Sequence, residues 1–138
     1  MIILDTNVVS EVARPRPMLK VLEWMRSQPR SALFTSAITE AELFYGVALL
    51  PEGRRRSDLE MLVNAILSED LSGKILPFDS VAAREYADIA ATRRGLGRPI
   101  SEPDARVAAI ARSRGASLAT RNTADFENCG VELIDPWA

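Results

Sequence analysis

The sequence predicts an α/β fold: one domain, residues 1–138, with a mainly parallel central sheet of about five strands covered by helices on both faces. Three observations predict it. Short β-branched or apolar runs recur along the chain, longer stretches with helical spacing separate them, and no repeat, low-complexity segment or composition break divides them. A chain of 138 residues buries a full core without staples.

The first strand is Ile2, Ile3 and Leu4, running straight into Asp5, Thr6 and Asn7. After Pro17, the spacing of Leu19, Leu22, Trp24 and Met25 predicts a helix. Residues 32–35 form the second strand. Ile38, Leu43, Phe44 and Val47 predict the next helix, ending near Pro51, and Leu59, Leu62, Val63 and Ile66 line another. The third strand is 75–78. Val81, Tyr86, Ile89 and Ala90 mark a helix stopped by Gly95 and Gly97, and Val107, Ala108, Ile110 and Ala111 mark one ended by Gly115. Strands at 117–120 and 131–134 complete the sheet.

Composition narrows the chemistry. There is no histidine and one cysteine, Cys129, so His-based triads, histidine zinc sites, an intrachain disulfide and CxxC motifs are excluded. With 19 acidic residues, carboxylates lead. The opening apolar run is too short for a signal peptide and no run approaches the roughly 20 residues needed to cross a bilayer, so a cytoplasmic location without membrane contact is expected. A net charge of −2 argues against indiscriminate nucleic-acid binding by the whole surface. Clusters at Arg54, Arg55 and Arg56, at Arg93, Arg94 and Arg98, and at Arg112, Arg114 and Arg121 read first as solvated helix faces or helix C-termini. They leave room for a basic rim around an acidic centre.

In open parallel sheets, ligands bind outside the carboxyl ends of the strands. Asp5 closes the first strand, Glu42 falls in the first two turns of the helix after the second, Asp104 opens a later helix, and Asn122 and Asp125 begin a short one after the fourth strand. Thr39-x-x-Glu42, Ser101-x-x-Asp104 and Asn122-x-x-Asp125 equally fit capping boxes, and spacing alone does not separate cap from ligand. Two features favour a site. Glu42 lies deep for a cap, since helical spacing can start at Ile38, and several carboxylates at one sheet edge repel unless a cation neutralises them. Without histidine or soft ligands, that cation is Mg²⁺ or Mn²⁺, which suits phosphodiester hydrolysis. Thr6, Asn7, Thr120 and Asn122 are candidate supporting polar residues, or simple turn and cap formers.

The segments LDTNVVSE, ITEAELFYG, RPISEPDARVAAIA, ATRNTADF and VELIDPW, in that order, resemble the PIN-domain ribonucleases. More narrowly they resemble the VapC toxins of type II bacterial toxin–antitoxin pairs and the related FitB protein. The resemblance covers essentially the whole chain and implies a PIN-like α/β/α sandwich. It implies that Asp5, Glu42 and Asp104 hold Mg²⁺ or Mn²⁺, with Asp125 at the fourth, more peripheral acidic position and Thr6 or Asn7 with Asn122 in support. It further implies a VapB-like antitoxin partner, a homodimer, an RNA substrate, and operator DNA contacted only through the antitoxin.

The expected function is therefore that of a metal-dependent endoribonuclease toxin, a hydrolase of RNA phosphodiester bonds with Asp5, Glu42, Asp104 and Asp125 as catalytic and metal-binding residues. One alternative is a catalytically degenerate PIN module acting through its antitoxin and operator DNA. A less favoured one is a glycosidase using a carboxylate pair without metal.

Overall fold

A computed structural model describes residues 1–138. Five strands, β1 (Ile2–Leu4), β2 (Leu33–Ser36), β3 (Ile75–Leu76), β4 (Ser117–Ala119) and β5 (Leu133–Ile134), form one sheet in the order β3-β2-β1-β4-β5. Every pairing is parallel. Each strand overlaps a run expected from the sequence. Six helices connect them: α1 (Thr6–Val12), α2 (Leu19–Ser27), α3 (Ala37–Ala48), α4 (Arg54–Ala65), α5 (Ser80–Gly95) and α6 (Glu102–Ser113).

Alternation along the strands builds two cores. Ile3 and Leu118 face Ile89 of α5 and Val107, Ala108 and Ile110 of α6. Leu4 and Ala119 point the other way, against Val8 and Val9 of α1, with Trp24 and Met25 packed around them. A smaller cluster of Val47, Val63, Leu67 and Leu71 fastens α3 to α4. No helix is long and apolar enough to cross a membrane.

Helix α1 was not anticipated. Its Val8, Val9 and Val12 favour strand by propensity, but Asp5 ends the first strand and its carbonyl accepts from Val8 and Val9 N–H, starting a helix at once. Burial of Val8 and Val9 then holds that turn in place. Helix α6 ends as expected at Gly115, which has φ 62°. In α5, Gly95 lies inside the last turn and Gly97, at φ 72°, redirects the chain.

The strand order reverses at β1. The chain leaves it for β2 and β3 on one side and returns to β4 on the other. The crevice outside the carboxyl ends of β1 and β4 is the switch point where such sheets bind ligands.

Candidate active site

Asp5 sits at that switch point and is buried. Its Oδ1 accepts from the Thr6 N–H at 2.9 Å and its Oδ2 accepts from the Thr120 hydroxyl at 2.8 Å. Thr120 follows β4, and its oxygen in turn accepts from the Asn122 N–H at 3.1 Å and the Asn7 amide at 3.3 Å. Asn7 also accepts from the Arg121 N–H at 3.2 Å. Three of the four supporting polar residues therefore form one network around Asp5, because parallel pairing of β1 with β4 brings their carboxyl ends together.

The fourth, Thr6, serves Glu42. Its hydroxyl donates to Glu42 Oε1 at 3.2 Å and lies 3.0 Å from the Thr39 hydroxyl. Thr6 has one proton to give, so Thr39 is the donor in the second contact. Glu42 is in the second turn of α3, away from its N-terminus. The cap of α3 is Ser36, whose Oγ accepts from Thr39 N–H at 3.2 Å, so the Thr39-x-x-Glu42 capping box does not form. Ser101 does cap α6, accepting from Asp104 N–H at 3.3 Å, which leaves the Asp104 carboxyl facing the crevice. Asn122 makes no side-chain cap to the short turn after it.

Asp5, Glu42 and Asp104 line a common cleft of about 480 Å³ together with Thr6, Asn7 and Asn122. Asp125 is exposed outside its lining, but its charge reaches both Asp5 and Asp104. Burial pushes the carboxyls of Asp5, Glu42 and Asp104 above their ordinary values, and repulsion among the acids adds to it. Hydrogen bonds from Thr120 and Thr6 oppose the rise at Asp5 without cancelling it.

These donors are hard oxygens, the set that suits Mg²⁺ or Mn²⁺. No three acidic side chains close tightly enough to enclose an ion by themselves. Such a set fits a divalent ion that keeps several waters, as Mg²⁺ does on one or two carboxylates.

Two residues of the site escaped sequence reasoning. Glu11 lines the cleft and is buried, accepting from Met18 N–H at 3.2 Å with Arg14 at 3.5 Å. Its signal was the spacing Asn7, Glu11, Arg14, one face of a helix that the β-branched valines concealed. Arg93 is the other. It is not solvated, as its cluster suggested, but buried in the last turn of α5. Its Nε donates to Arg98 O at 2.7 Å and its Nη1 to Asp125 O at 2.8 Å and Glu127 O at 3.1 Å. That clamp joins the loop before Asp104 to the loop carrying Asp125, and its charge lowers the pKa of Asp104.

Known proteins share this frame. The chain is 42% identical over 137 residues to a VapC ribonuclease of Sinorhizobium fredii, covering 99% of this chain and 98% of that one. It is 39% identical to toxin FitB of Neisseria gonorrhoeae over 99% of both chains. The solved structure of FitAB bound to a DNA fragment superimposes with a TM-score of 0.93 at 38% identity, over 100% of this chain and 96% of that chain. The PIN domain matches residues 2–131, and the chain belongs to the PIN-domain family.

Proposed function

We propose that this protein is the toxin of a type II toxin–antitoxin pair and cuts RNA as a Mg²⁺- or Mn²⁺-dependent endoribonuclease. The observation that carries this reading is the convergence of Asp5, Glu42 and Asp104 in one cleft at the strand switch, all with raised pKa values and no ion pair to a basic side chain. Those three carboxylates would hold the ion, with Asp125 at its rim. When bound, a divalent ion polarises a phosphoryl oxygen and makes water a nucleophile near neutral pH. The chain's own residues orient the acids: Thr120 and the Thr6 N–H fix both oxygens of Asp5, while the Thr6 hydroxyl holds Glu42.

Two further grooves suggest where the antitoxin lies. One of about 520 Å³, walled by Leu22, Met25 and Ile66, and one of about 890 Å³, walled by Leu43, Leu50 and Leu59, share Leu62. The second runs up to Thr6 and Glu42. An apolar antitoxin segment laid along them would deliver an arginine to the metal-free carboxylates, a bidentate match. Operator DNA would then be reached through the antitoxin. Exposed Tyr45, Leu49 and Met61 supply apolar surface for a second copy of the chain or for the antitoxin.

The test is cleavage of total bacterial RNA, mapped by new 5′ ends. The samples are wild type with Mn²⁺ or Mg²⁺, wild type in EDTA, and Asp104→Asn. Discrete cuts lost in both controls support the reading. No cuts in any sample, together with no Mn²⁺ uptake by calorimetry and retained operator binding with the antitoxin, would instead favour a non-catalytic binding module. The open spacing of the acids is the feature that keeps this second reading in play.

A further inference from the structure

The acidic cleft also holds a cation that no carboxylate claims. Arg121 lines it beside Asp5, Glu42 and Asp104, yet forms no ion pair. Arg14, the other arginine of the cleft, is paired with buried Glu11 at 3.5 Å. A salt bridge within the cleft therefore does not explain the position of Arg121.

Its mounting is specific. The Arg121 backbone N–H is tied to Asn7 Oδ1 at 3.2 Å, and its guanidinium lies 5.3 Å from the centre of the Trp137 ring. Trp137 packs against the Leu4, Val8 and Ala119 cluster, and its backbone N–H donates to Asp135 Oδ1 at 2.9 Å. The Trp137 indole N–H is the one buried side-chain polar atom of the protein without a partner. An orphaned donor is costly, and phenylalanine would fill the position without it. What indole adds is the strongest ring face for a cation. The Trp137 ring face thus gives the exposed Arg121 guanidinium a resting place at the wall of the cleft, with its planar donor fork free of any ion pair.

We propose that Arg121, laid on Trp137, anchors a backbone phosphate of the RNA next to the one that is cut. The proposal rests on the ribonuclease reading. An RNA strand brings further negative charge to a cleft already lined with acids; the proposed ion meets the phosphate that is cut, and an unpaired cation of that cleft is suited to meet a neighbouring one. A guanidinium binds phosphate oxygens bidentately, and a phosphate contact sets register without reading sequence.

Salt dependence separates this role from others. Binding of a single-stranded RNA oligonucleotide carrying a mapped cut site is followed against salt concentration in an Asp104→Asn background, where the strand survives. R121A should make the slope of log affinity against log salt shallower by about 0.7, the loss of one phosphate contact on a single strand. In the cleaving protein, R121A should raise KM several-fold while kcat falls much less. R121K keeps the charge but loses the fork and the stack, so its slope stays and its KM rises partway. W137L should do the same. Thermal melts check folding. If R121A does not fold, R121K and W137L carry the test, and an unchanged KM in both overturns the proposal.

Wild type that cuts RNA, with R121A binding at an unchanged salt slope, overturns the proposal and leaves the ribonuclease reading standing. The same result with weakened antitoxin binding assigns Arg121 to the protein partner instead. Wild type that neither binds nor cuts RNA overturns both.

Discussion

Asp5 is a carboxylate held in two directions and still disfavoured. Thr120 and the Thr6 N–H fix its oxygens, yet burial and the neighbouring acids raise its pKa above the ordinary 3.8. For an acid, a raised folded-state pKa means that the folded chain binds the proton more tightly than the unfolded one. Stability then falls as pH rises from the ordinary carboxylate range through the raised value. The melting temperature of metal-free protein should therefore fall as pH rises from the ordinary carboxylate range toward neutrality, unlike that of a protein whose acids are salt-bridged. The fall should shrink in Asp5→Asn and in Asp104→Asn. A melting curve that rises with pH over that interval would contradict the burial of these groups. Asp5→Asn itself exchanges one buried acceptor for a donor at Thr120, whose oxygen lone pairs already accept from Asn7 and Asn122. The unmatched donors should cost about 1–3 kcal/mol of folding stability, offset in part by removal of a buried charge, while RNA cleavage should be lost.

At the scale of elements, a capping residue and the proposed ligand Glu42 predict different outcomes. Ser36→Ala removes the acceptor for Thr39 N–H and should cost about 1 kcal/mol, a usual figure for a lost N-cap. Glu42→Gln, on the solvent-facing side of the second turn of α3, should leave the melting temperature nearly unchanged and abolish cleavage. Equal destabilisation by both would return Glu42 to a structural role. Arg93 is a harder case. It closes two loops through the carbonyls of Arg98, Asp125 and Glu127. Arg93→Ala strands those acceptors and should destabilise by about 3 kcal/mol, since hydrogen bonds from a charged donor are worth more than neutral ones.

The same elements show what the sequence makes legible. The strands stood out because buried parallel strands read as short apolar runs, and α5 and α6 because their periodicity is long and glycine ends it. The cleft acids stood out because strand ends and helix starts are where such residues are conspicuous. Helix α1 was hidden by four β-branched residues, Thr6, Val8, Val9 and Val12, in seven positions, where packing against Leu4 overrides propensity. With α1 hidden, Glu11 had no face to belong to. Arg93 was hidden for another reason: nothing in a run of arginines tells which one turns inward, because its partners are backbone carbonyls that carry no sequence signal.

For the molecule as a whole, an ion that binds only the folded chain stabilises it by mass action. At a free Mn²⁺ concentration one hundred times its dissociation constant, the gain should be about 2.7 kcal/mol, read as a rise in Tm that EDTA reverses. Asp104→Asn should lose most of it. A Tm indifferent to Mn²⁺ would remove the metal from the proposed mechanism.

The central strand of the sheet is also the first to be synthesised, and the partner that seats its terminal aspartate comes 115 residues later. Closing so long a loop has to wait until Thr120 has been made, and non-local pairings of this kind are intrinsically slow. A chain still emerging from the ribosome contains Asp5 and Glu42 well before β4, and Asp104 shortly before it, so the acids exist as sequence before they exist as a site. A fragment ending before Ser117 should be inert toward RNA. Under the proposed reading, synthesis and potency are thus separated in time by topology, and the messenger encoding the enzyme is out of danger from each copy until β4 of that copy has been made.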